Sequence, residues 1–420
     1  MIELIFRNAC LPDQHALTDL AIDDGAVVER GLGLEIPAER EIDLAGRLLI
    51  PGFVESHLHL DIALMNESER PGREKPFRSP VELNQIVEQR RKSFTHQEIE
   101  QRALQAVKQA NRHGVTAMRA QCHVDTEIGL RHLEALVSVR EKVADHLTLQ
   151  IVAFPQQGLL SQPGTLDLFR EAFRSGADVM GCASNLETNP GVDFRQHIDA
   201  ALDLAMALDI DLDMHADLGI LPSVELDELE VVYVARRVIE CGYYGRVTAG
   251  HACALDSALP EVAEQAIELI REAGINVISQ PDMYRLGRTD TRHVRRGLTR
   301  VKQLLAAGVN VAYASNNVRD AFRPLGNFDL LEEGLILAYG AHMDSVEELD
   351  TLLRMSTTHA AKILCLQGYG LDEGCAADLV VLDAPSPSAA MVGQVEKLFV
   401  LKAGCIIAMN KVESNLEEST

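Results

Sequence analysis

Apolar runs of strand length alternate with segments of helical periodicity through the central part of the chain, between about residues 49 and 365. Residues 96–113 show helical spacing of their apolar positions and end at Gly114, and a strand-like run follows at residues 115–118. The opening strand-like run, at residues 47–50, ends at a Pro-Gly pair just before Phe53 and Val54. The other strand-like runs lie at residues 147–154, 177–182, 210–214, 245–249, 275–278 and 309–313. Eight strands that alternate with helices over this length predict an α/β fold of the (β/α)8 type, a TIM barrel.

An open, doubly wound sheet is the competing architecture for such alternation. That fold commonly carries a Gly-x-Gly-x-x-Gly motif after its first strand, and this chain has none there, so the pattern favours the closed barrel. Residues 1–48 and 366–410 show short strand-like runs broken by turns, and neither arm is large enough to fold alone. We expect both arms to combine into one small β domain beside a barrel at residues 49–365, with a polar tail at residues 411–420.

Composition and charge restrict the possible partners. The chain has 420 residues and a formal net charge of -24, and such an acidic field repels nucleic acids and anionic membranes. No apolar run approaches the length of a membrane span, and the first residues lack a basic segment followed by an apolar one, so we expect a cytoplasmic location. The eight cysteines are scattered without a Cys-x-x-Cys pair and are expected to be buried thiols.

Histidines recur at the predicted carboxyl ends of the strands, where barrels of this type place their chemistry. His57 and His59 follow the first strand with one residue between them, so both imidazoles project to the same face of an extended segment. His123, His215 and His251 end the second, fifth and sixth strands. Any one of them could be an ordinary hydrogen-bonded side chain, but their recurrence at one level predicts a site for a divalent metal ion.

Other polar residues at the strand ends are candidates for binding a substrate. Gln156 and Gln157 follow the third strand and can offer paired donors and acceptors to an amide edge, and Asp282 follows the seventh. Each could equally be a polar loop residue. The segment 71–80 is rich in Pro, Arg and Lys and is expected to form a loop that covers the barrel mouth. A basic cluster beyond the seventh strand could contact an acidic substrate, but in so acidic a chain it is expected to pair mainly with carboxylates of neighbouring helices or subunits. Its members are Arg288, Arg292, Arg295, Arg296 and Arg300.

The spacing of several of these residues resembles the amidohydrolase superfamily. The resemblance rests on the run Phe53-x-Glu55-x-His57-x-His59, on the lone histidines at 215 and 251, and on residues 317–320 after the eighth strand. Within the superfamily, the pattern is similar to that of cytosine deaminase and N-isopropylammelide amidohydrolase. The supporting motifs are residues 154–156, 245–248, 325–327 and 374–382, and the likeness covers nearly the whole chain.

The resemblance implies a metal site and a proton carrier. It implies one divalent metal ion, zinc, iron or manganese, held by His57, His59 and His215, with an aspartate after the eighth strand completing the ligands. It also implies that His251 assists the attacking water and that Gln156 hydrogen-bonds the heterocycle.

The chain departs from the family pattern at two positions. Asn316 stands where the metal-binding aspartate is expected, and Leu218 replaces the glutamate that acts as general acid and base in cytosine deaminase. An asparagine carbonyl can approach a metal ion, but it brings no negative charge and cannot carry a proton at neutral pH. We therefore expect the metal ion to be weakly bound.

The proton transfers of hydrolysis then need another carrier. The candidates are Asp217, Asp320, Asp282, His251 and His123. Asp217 has a structural alternative, because it could cap the turn at residues 219–223.

These features predict a metal-dependent hydrolase that cleaves a carbon–nitrogen bond other than a peptide bond. The expected substrate is a small nitrogen heterocycle of pyrimidine or triazine type, and the expected reaction is deamination or cyclic amide hydrolysis. The alternative is a barrel homologue that binds a heterocycle with impaired or no catalysis. Asn316 fits a natural subfamily with a rearranged proton path, a binding homologue, or an engineered inactive variant. A small molecule is the expected partner, and the resemblance implies a homo-oligomer.

Overall fold

The computed structural model describes residues 1–14, 16–66, 80–219, 224–280 and 297–411. Several features predicted from the sequence lie outside these ranges: most of the loop at 71–80, Asp282, the arginines at 288, 292, 295 and 296, and the tail from residue 412. The described strands are β1 (Ile2–Ala9), β2 (Thr18–Asp23), β3 (Ala26–Gly31), β4 (Ala38–Asp43), β5 (Leu48–Pro51), β6 (Phe53–Leu58), β7 (Val115–His123), β8 (Thr148–Phe154), β9 (Val179–Cys182), β10 (Leu212–Ala216), β11 (Val247–His251), β12 (Asn276–Ser279), β13 (Val311–Tyr313), β14 (Leu379–Leu382), β15 (Lys397–Lys402) and β16 (Cys405–Met409).

The described helices are α1 (Pro80–Ser93), α2 (His96–Arg112), α3 (Arg131–Lys142), α4 (Thr165–Arg174), α5 (Phe194–Leu208), α6 (Glu230–Cys241), α7 (Ala254–Ser257), α8 (Pro260–Glu272), α9 (Val301–Ala306), α10 (Leu330–Ala341), α11 (Val346–Met355), α12 (Thr358–Ile363) and α13 (Pro387–Gly393). Two short 3-10 helices lie at Ser184–Leu186 and Leu226–Glu228. None of these described helices has both the length and the apolar character needed to cross a membrane.

Strands β6 to β13 form one eight-stranded sheet at the centre of the molecule. Each strand pairs in parallel with its neighbour in the sequence. A parallel bridge between Leu58 and Asn316 joins the first of these strands to the segment that follows the last, and so closes the sheet. Helices alternate with these strands along the chain, and the predicted (β/α)8 barrel is confirmed.

Helix α2 shows how the sequence specifies the outer layer of the barrel. Thr95 and Glu98 form a reciprocal capping box at its start, which satisfies backbone N–H groups that have no partner within the helix. Its buried residues recur at three- and four-residue spacing from Ile99 to Ala110, as an amphipathic helix requires. The chain then turns into β7 at Gly114, whose φ of +88° is a conformation that glycine adopts without strain.

The two chain ends form a small β domain beside the barrel. Strands β1 to β4 make one four-stranded sheet, and β5 joins β14, β15 and β16 in a second. The sheets share one apolar core that includes the fully buried side chains of Phe6, Leu20, Leu49, Val381 and Leu401. The small β domain that the sequence predicts from both termini is therefore confirmed.

A tight crossing at Gly52 joins this domain to the barrel. The apolar run at residues 47–50, predicted as the opening strand of the barrel, instead forms β5 of the small domain and pairs antiparallel with β14, and the first barrel strand begins at Phe53. A Cβ atom at Gly52 would clash with Oγ1 of Thr116, so a larger residue cannot fit without a shift of β7. The crossing brings the first barrel strand, with its two histidines, directly into the sheet.

Candidate active site

Three imidazole nitrogens meet at the carboxyl-terminal mouth of the barrel. Strand β6 carries His57 and is followed by His59, and β10 carries His215. The Nε2 atoms of His57 and His59 lie 3.2 Å and 3.1 Å from Nε2 of His215, and all three residues are buried. A tetrahedral zinc ion with Zn–N bonds of ~2.0–2.1 Å holds its nitrogen ligands about 3.3 Å apart, and both separations match that spacing. Ligand atoms of His57, His215 and His251 also lie within 4.8 Å of one another, so this cluster of imidazoles can hold a divalent metal ion.

Asp213 and Gln121 hold the outer side of the His57 ring. Asp213 Oδ1 lies 3.4 Å from Nδ1 of His57, and Nε2 of Gln121 lies 3.2 Å from the same nitrogen and 3.1 Å from Asp213 Oδ1. Arg119 donates to the other Asp213 oxygen at 3.1 Å. Burial acts to raise the pKa of Asp213, but the contacts with His57 and Arg119 outweigh it and hold the pKa below its ordinary value. With the Nδ1 proton of His57 directed to Asp213, the Nε2 lone pair faces the other imidazoles, and the Gln121 amide then donates to Asp213 and not to Nδ1.

Glu55 fixes the loop after the last barrel strand against the histidine strand. Its buried carboxylate accepts hydrogen bonds from the backbone N–H of Ser315, at 3.1 and 3.2 Å, and of His57, at 3.3 Å. Burial raises the pKa of Glu55 to about 7. The backbone of Asn316 donates to the carbonyl of His57 and accepts from the N–H of His59, both at 2.9 Å. The position of Asn316 is therefore set by backbone contacts on both sides.

The backbone is left-handed at three strand ends of the site. The φ angle is +51° at Asp217, +70° at His251 and +60° at Asn316. Such conformations cost about 1–3 kcal/mol each for residues other than glycine, and they concentrate at functional sites. Their grouping at one end of the barrel supports a functional role for this end.

A cavity of about 60 Å³ opens beside the converging imidazoles, and we call it the inner cavity. Its wall brings together five residues that the sequence predicts for the site: His59, His215, His251, Gln156 and Asn316. The other described wall residues are Asn84, Phe154, Asn185, Leu186, Leu218, Asn317 and Phe322. No carboxylate is among these described residues, so a proton carrier in the described wall has to be a histidine. Burial lowers the pKa of one of them, His59, well below its ordinary value.

Comparison with known proteins gives the family. Residues 75–404 match the Amidohydrolase family. The chain belongs to this family. A crystal structure of 5-methylcytosine deaminase from Klebsiella pneumoniae, liganded with 5-fluorocytosine, is 33% identical, with a TM-score of 0.88 over 98% of this chain and 99% of that chain. N-isopropylammelide isopropyl amidohydrolase from Pseudomonas sp. (strain ADP) is 29% identical over 98% of both chains. Pterin deaminase from Rhizobium rhizogenes (strain K84 / ATCC BAA-868) is 29% identical over 93% of this chain and 87% of that one.

The predicted resemblance is therefore confirmed, and the protein is an enzyme of the amidohydrolase class. The remaining site residues predicted from the sequence take different positions in this amidohydrolase. Some of them hold the scaffold around the inner cavity, and others line a neighbouring space.

Asp217 caps a helix. Its two carboxylate oxygens accept the backbone N–H groups of Glu230 and Val231 at 2.7 and 3.1 Å, at the start of α6. The Glu230 carboxylate in turn accepts the backbone N–H of Asp217 at 2.6 Å. Burial and the charge of Glu230 raise the pKa of Asp217 to about 8. This geometry favours a capping role for Asp217 over a catalytic one, and the helix it caps is α6, whereas most of the turn at 219–223 lies outside the described residues.

Asp320 organises the loop after the last barrel strand. Its Oδ1 accepts the backbone N–H groups of Phe322 and Arg323, both at 2.9 Å, and its Oδ2 accepts Nδ2 of Asn317 at 2.6 Å. Asp320 is fully buried and is not a wall residue of the inner cavity. Its contacts support a role in placing Asn317, which does line the cavity.

The two glutamines after β8 point to different places. Gln156 lines the inner cavity. Nε2 of Gln157 donates to Glu88 at 2.7 Å and to Glu127 at 2.6 Å, away from the imidazoles. The structure thus brings one of the two predicted glutamines to the candidate metal site, and Asp282 lies outside the described residues.

His123 belongs to a second buried cluster behind His59. Oδ2 of Asp61 lies 2.9 Å from Nδ1 of His123 and 2.6 Å from Nδ1 of His132, and Nε2 of His132 lies 3.1 Å from the backbone carbonyl of Arg91. The rings of His59 and His123 have centroids 5.9 Å apart. The histidine predicted at the end of β7 therefore packs against a candidate metal ligand, and it is absent from the described wall of the inner cavity.

Sequence reasoning assigned no role to Asp213, Glu55 or Asn84. Asp213 and Glu55 each precede a histidine of the candidate metal site by two residues on the same strand, which places the paired side chains on one face. This two-residue spacing could have identified Asp213 and Glu55 from the sequence. Asn84 reaches the inner cavity from α1, and only the packing of that helix on the barrel shows this.

Proposed function

We propose that this amidohydrolase is a metal-dependent enzyme that hydrolyses a carbon–nitrogen bond of a small nitrogen heterocycle. The substrate is of pyrimidine or triazine type, and the reaction is a deamination or a cyclic amide hydrolysis. The observation that carries the proposal is that the Nε2 atoms of His57 and His59 approach Nε2 of His215 to 3.2 and 3.1 Å, beside a cavity that Gln156 and His251 also line. The names of the relatives, which refer to 5-methylcytosine, an ammelide and a pterin, support the substrate class.

The ion would be held by His57, His59 and His215, with the Asn316 side chain as a neutral fourth donor. When bound, a zinc, iron or manganese ion supplies Lewis acidity and lowers the pKa of water towards neutrality. None of these four side chains carries a negative charge. Asp213, in contact with Nδ1 of His57, supplies an anion directly behind the ligand set. The metal affinity is therefore lower than in a site with a carboxylate ligand, and it depends on Asp213.

His251 is the proposed proton carrier. Hydrolysis requires that the attacking water lose a proton and that the departing nitrogen gain one. The ring centroids of His251 and His215 are 5.1 Å apart, and both residues line the inner cavity. Because an imidazole gains and loses a proton near neutral pH, His251 can serve both transfers.

Gln156 and Phe154 are placed to orient the heterocycle. The Gln156 side chain offers a donor and an acceptor that match the amide edge of a pyrimidine or triazine. Phe154, whose ring centroid lies 4.5 Å from that of His215, provides an apolar wall for a flat ring. Together they would hold the reacting carbon of the heterocycle against the imidazoles.

The test combines metal analysis with an activity panel. The protein is prepared without chelators, its zinc, iron and manganese are measured, and product release is followed for cytosine, ammelide, hydantoin and creatinine analogues. We expect metal to bind and at least one compound to be turned over, and we expect His57→Ala to lose both properties. Failure to bind any of the three metals after reconstitution would contradict the proposal.

A heterocycle-binding protein without turnover is the second candidate, and the described cavity wall favours it because Asn316 and Leu218 stand there in place of carboxylates. Bound metal without turnover of any panel member would support it. The variant Asn316→Asp distinguishes the possible reasons why residue 316 is not a carboxylate. A gain of both metal affinity and turnover would identify an inactive variant, whereas equal or lower turnover would identify an enzyme with a rearranged proton path.

The sequence resemblance also leads us to propose a homo-oligomer. Sedimentation velocity of the purified protein tests this, and a single monomeric species at micromolar concentration would contradict it.

A further inference from the structure

A second cavity of about 410 Å³ adjoins the inner cavity, and we call it the outer chamber. Its described wall consists of Asn84, Gln85, Glu88, Glu127, Gln156, Gln157, Gln162, Asn185, Leu186, Glu187 and Thr188. The inner cavity and the outer chamber share four of these residues: Asn84, Gln156, Asn185 and Leu186. The two spaces are therefore neighbours that share part of their lining.

The sizes of the two spaces restrict how a substrate can lie. Pockets that bind small molecules usually measure ~300–1,000 Å³, and one water molecule occupies about 30 Å³ in the liquid. The inner cavity, at about 60 Å³, is far below this range, whereas the outer chamber, at about 410 Å³, falls within it. A heterocycle whose reacting carbon reaches the imidazoles exceeds the inner cavity, and the outer chamber offers space for the rest of the molecule next to Asn84 and Gln156.

The wall of the outer chamber is rich in hydrogen-bonding groups and in negative charge. Six of its described residues carry side-chain amides and three are glutamates, whereas none is Lys or Arg. Burial acts to raise the pKa of Glu88, but contacts with Lys92, Arg91 and Gln157 outweigh it and lower the pKa to about 2. Glu88 is thus ionised at neutral pH. Lys92, which is not in the described wall, lies 2.9 Å from Glu88 and 2.7 Å from Glu127 and offsets part of the wall's negative charge.

The chamber wall is also held in place before any ligand binds. The fully buried Arg91 of α1 forms an ion pair with Asp125, and its second nitrogen lies 2.7 Å from Glu88. Gln157 joins Glu88 of α1 to Glu127 by donating to both carboxylates. A site fixed in this way loses little conformational entropy when a ligand binds.

We propose that the outer chamber is a substrate subsite for a polar substituent or second ring that carries no negative charge. This inference rests on the proposed function, because the inner cavity must hold the reacting part of the same molecule. The amides supply donors and acceptors to the extension, and the glutamates disfavour a carboxylate or phosphate at the same place. The enzyme therefore selects extended heterocycles with neutral or cationic appendages.

Three matched compounds test the subsite. They share one ring core from the activity panel and carry a 2-hydroxyethyl, a 2-aminoethyl or a carboxymethyl group. We expect the first two compounds to bind with a Kd at least about tenfold lower than the third, and the same order in kcat/KM. Binding is measured by calorimetry on the holoenzyme, so this readout does not require turnover.

Two variants test whether the outer chamber causes the preference among the three compounds. Glu127→Gln removes one wall charge and retains an oxygen acceptor for Gln157, so we expect it to reduce the discrimination against the carboxymethyl compound at least threefold. Glu134→Gln removes an exposed charge from α3, outside the described chamber wall, and should change neither Kd nor activity. Equal binding of all three compounds, no binding of any, or an unchanged ratio in Glu127→Gln would overturn the subsite. Absence of turnover together with the expected Kd order would instead contradict the proposed function alone.

Discussion

The buried carboxylate of Asp213 links the candidate metal site to the core of the barrel, and its replacement by asparagine tests the proposed centre most directly. Asp213 contacts Nδ1 of His57 at 3.4 Å on one side and Arg119 at 3.1 Å on the other, and it is fully buried. The substitution Asp213→Asn keeps the size of the side chain and removes its charge. Both the metal affinity and the stability of the metal-free fold should respond.

The magnitudes follow from these contacts. Loss of a carboxylate that orients a histidine ligand typically lowers metal affinity by about 10–100-fold, which is roughly 1.4–2.7 kcal/mol. Breaking a buried ion pair costs about 3–5 kcal/mol of folding stability. Arg119 keeps two other acceptors, Oε1 of Gln150 at 3.1 Å and the carbonyl of Ile363 at 2.8 Å. We therefore expect the folding stability to fall by about 3 kcal/mol, near the lower limit of this range.

Metal affinity is measured by competition with a chromogenic chelator, and stability by urea unfolding of the metal-free protein. The control is Asp209→Asn, which removes the 90% exposed partner of Arg246 and should cost less than about 1 kcal/mol with no change in metal affinity. A folded Asp213→Asn protein with metal affinity within twofold of the original would refute the assignment of Asp213 to the metal site.

Three further predictions concern single residues. His251→Gln should lower kcat by about 10²–10⁴-fold, measured by product release, and leave the metal content unchanged, because it removes the proposed proton carrier and no metal ligand. Asn316→Asp should raise metal affinity at least about tenfold in the same chelator competition, because it adds an anion to the ligand set. Burial raises the pKa of Glu333 from 4.5 to about 7 despite the attraction of Arg323, so the folded protein loses stability as the pH rises through this range. Glu333→Gln should make the fall in the urea midpoint between pH 5 and pH 8 smaller.

Each of these predictions has an outcome that contradicts it. Loss of metal together with activity in His251→Gln would make His251 a ligand and not a proton carrier. An unchanged affinity in Asn316→Asp would show that residue 316 does not contribute to the metal site. A Glu333→Gln protein whose urea midpoint falls as steeply with pH as that of the original would show that Glu333 does not take up a proton in the folded state.

The barrel and the histidine positions could be predicted because both depend on local patterns. The alternation of strand-like and helical segments determines the layers, and strands buried on both faces are recognisable from their apolar runs. The parallel order of the strands then brings His57 and His215 to the same end of the barrel, although they lie far apart in the chain.

The roles of the acidic residues could not be predicted, because they depend on partners distant in the sequence. Asp217 binds N–H groups at the start of α6, and Gln157 binds carboxylates of α1 and of the loop after β7. A carboxylate or an amide beside a strand end can face the cavity or turn back to a helix terminus, and only the tertiary packing decides between these outcomes. The outer chamber could not be predicted for the same reason, because α1 forms part of its wall.

The closure of the barrel through the backbone of Asn316 has an evolutionary consequence. The N–H and C=O groups at this position bind His57 and His59 whichever side chain is present, so the cylinder does not depend on the charge at residue 316. Asparagine and aspartate codons differ by a single nucleotide. A lineage can therefore exchange a neutral for an anionic side chain at the proposed metal site in one mutational step while the fold is preserved.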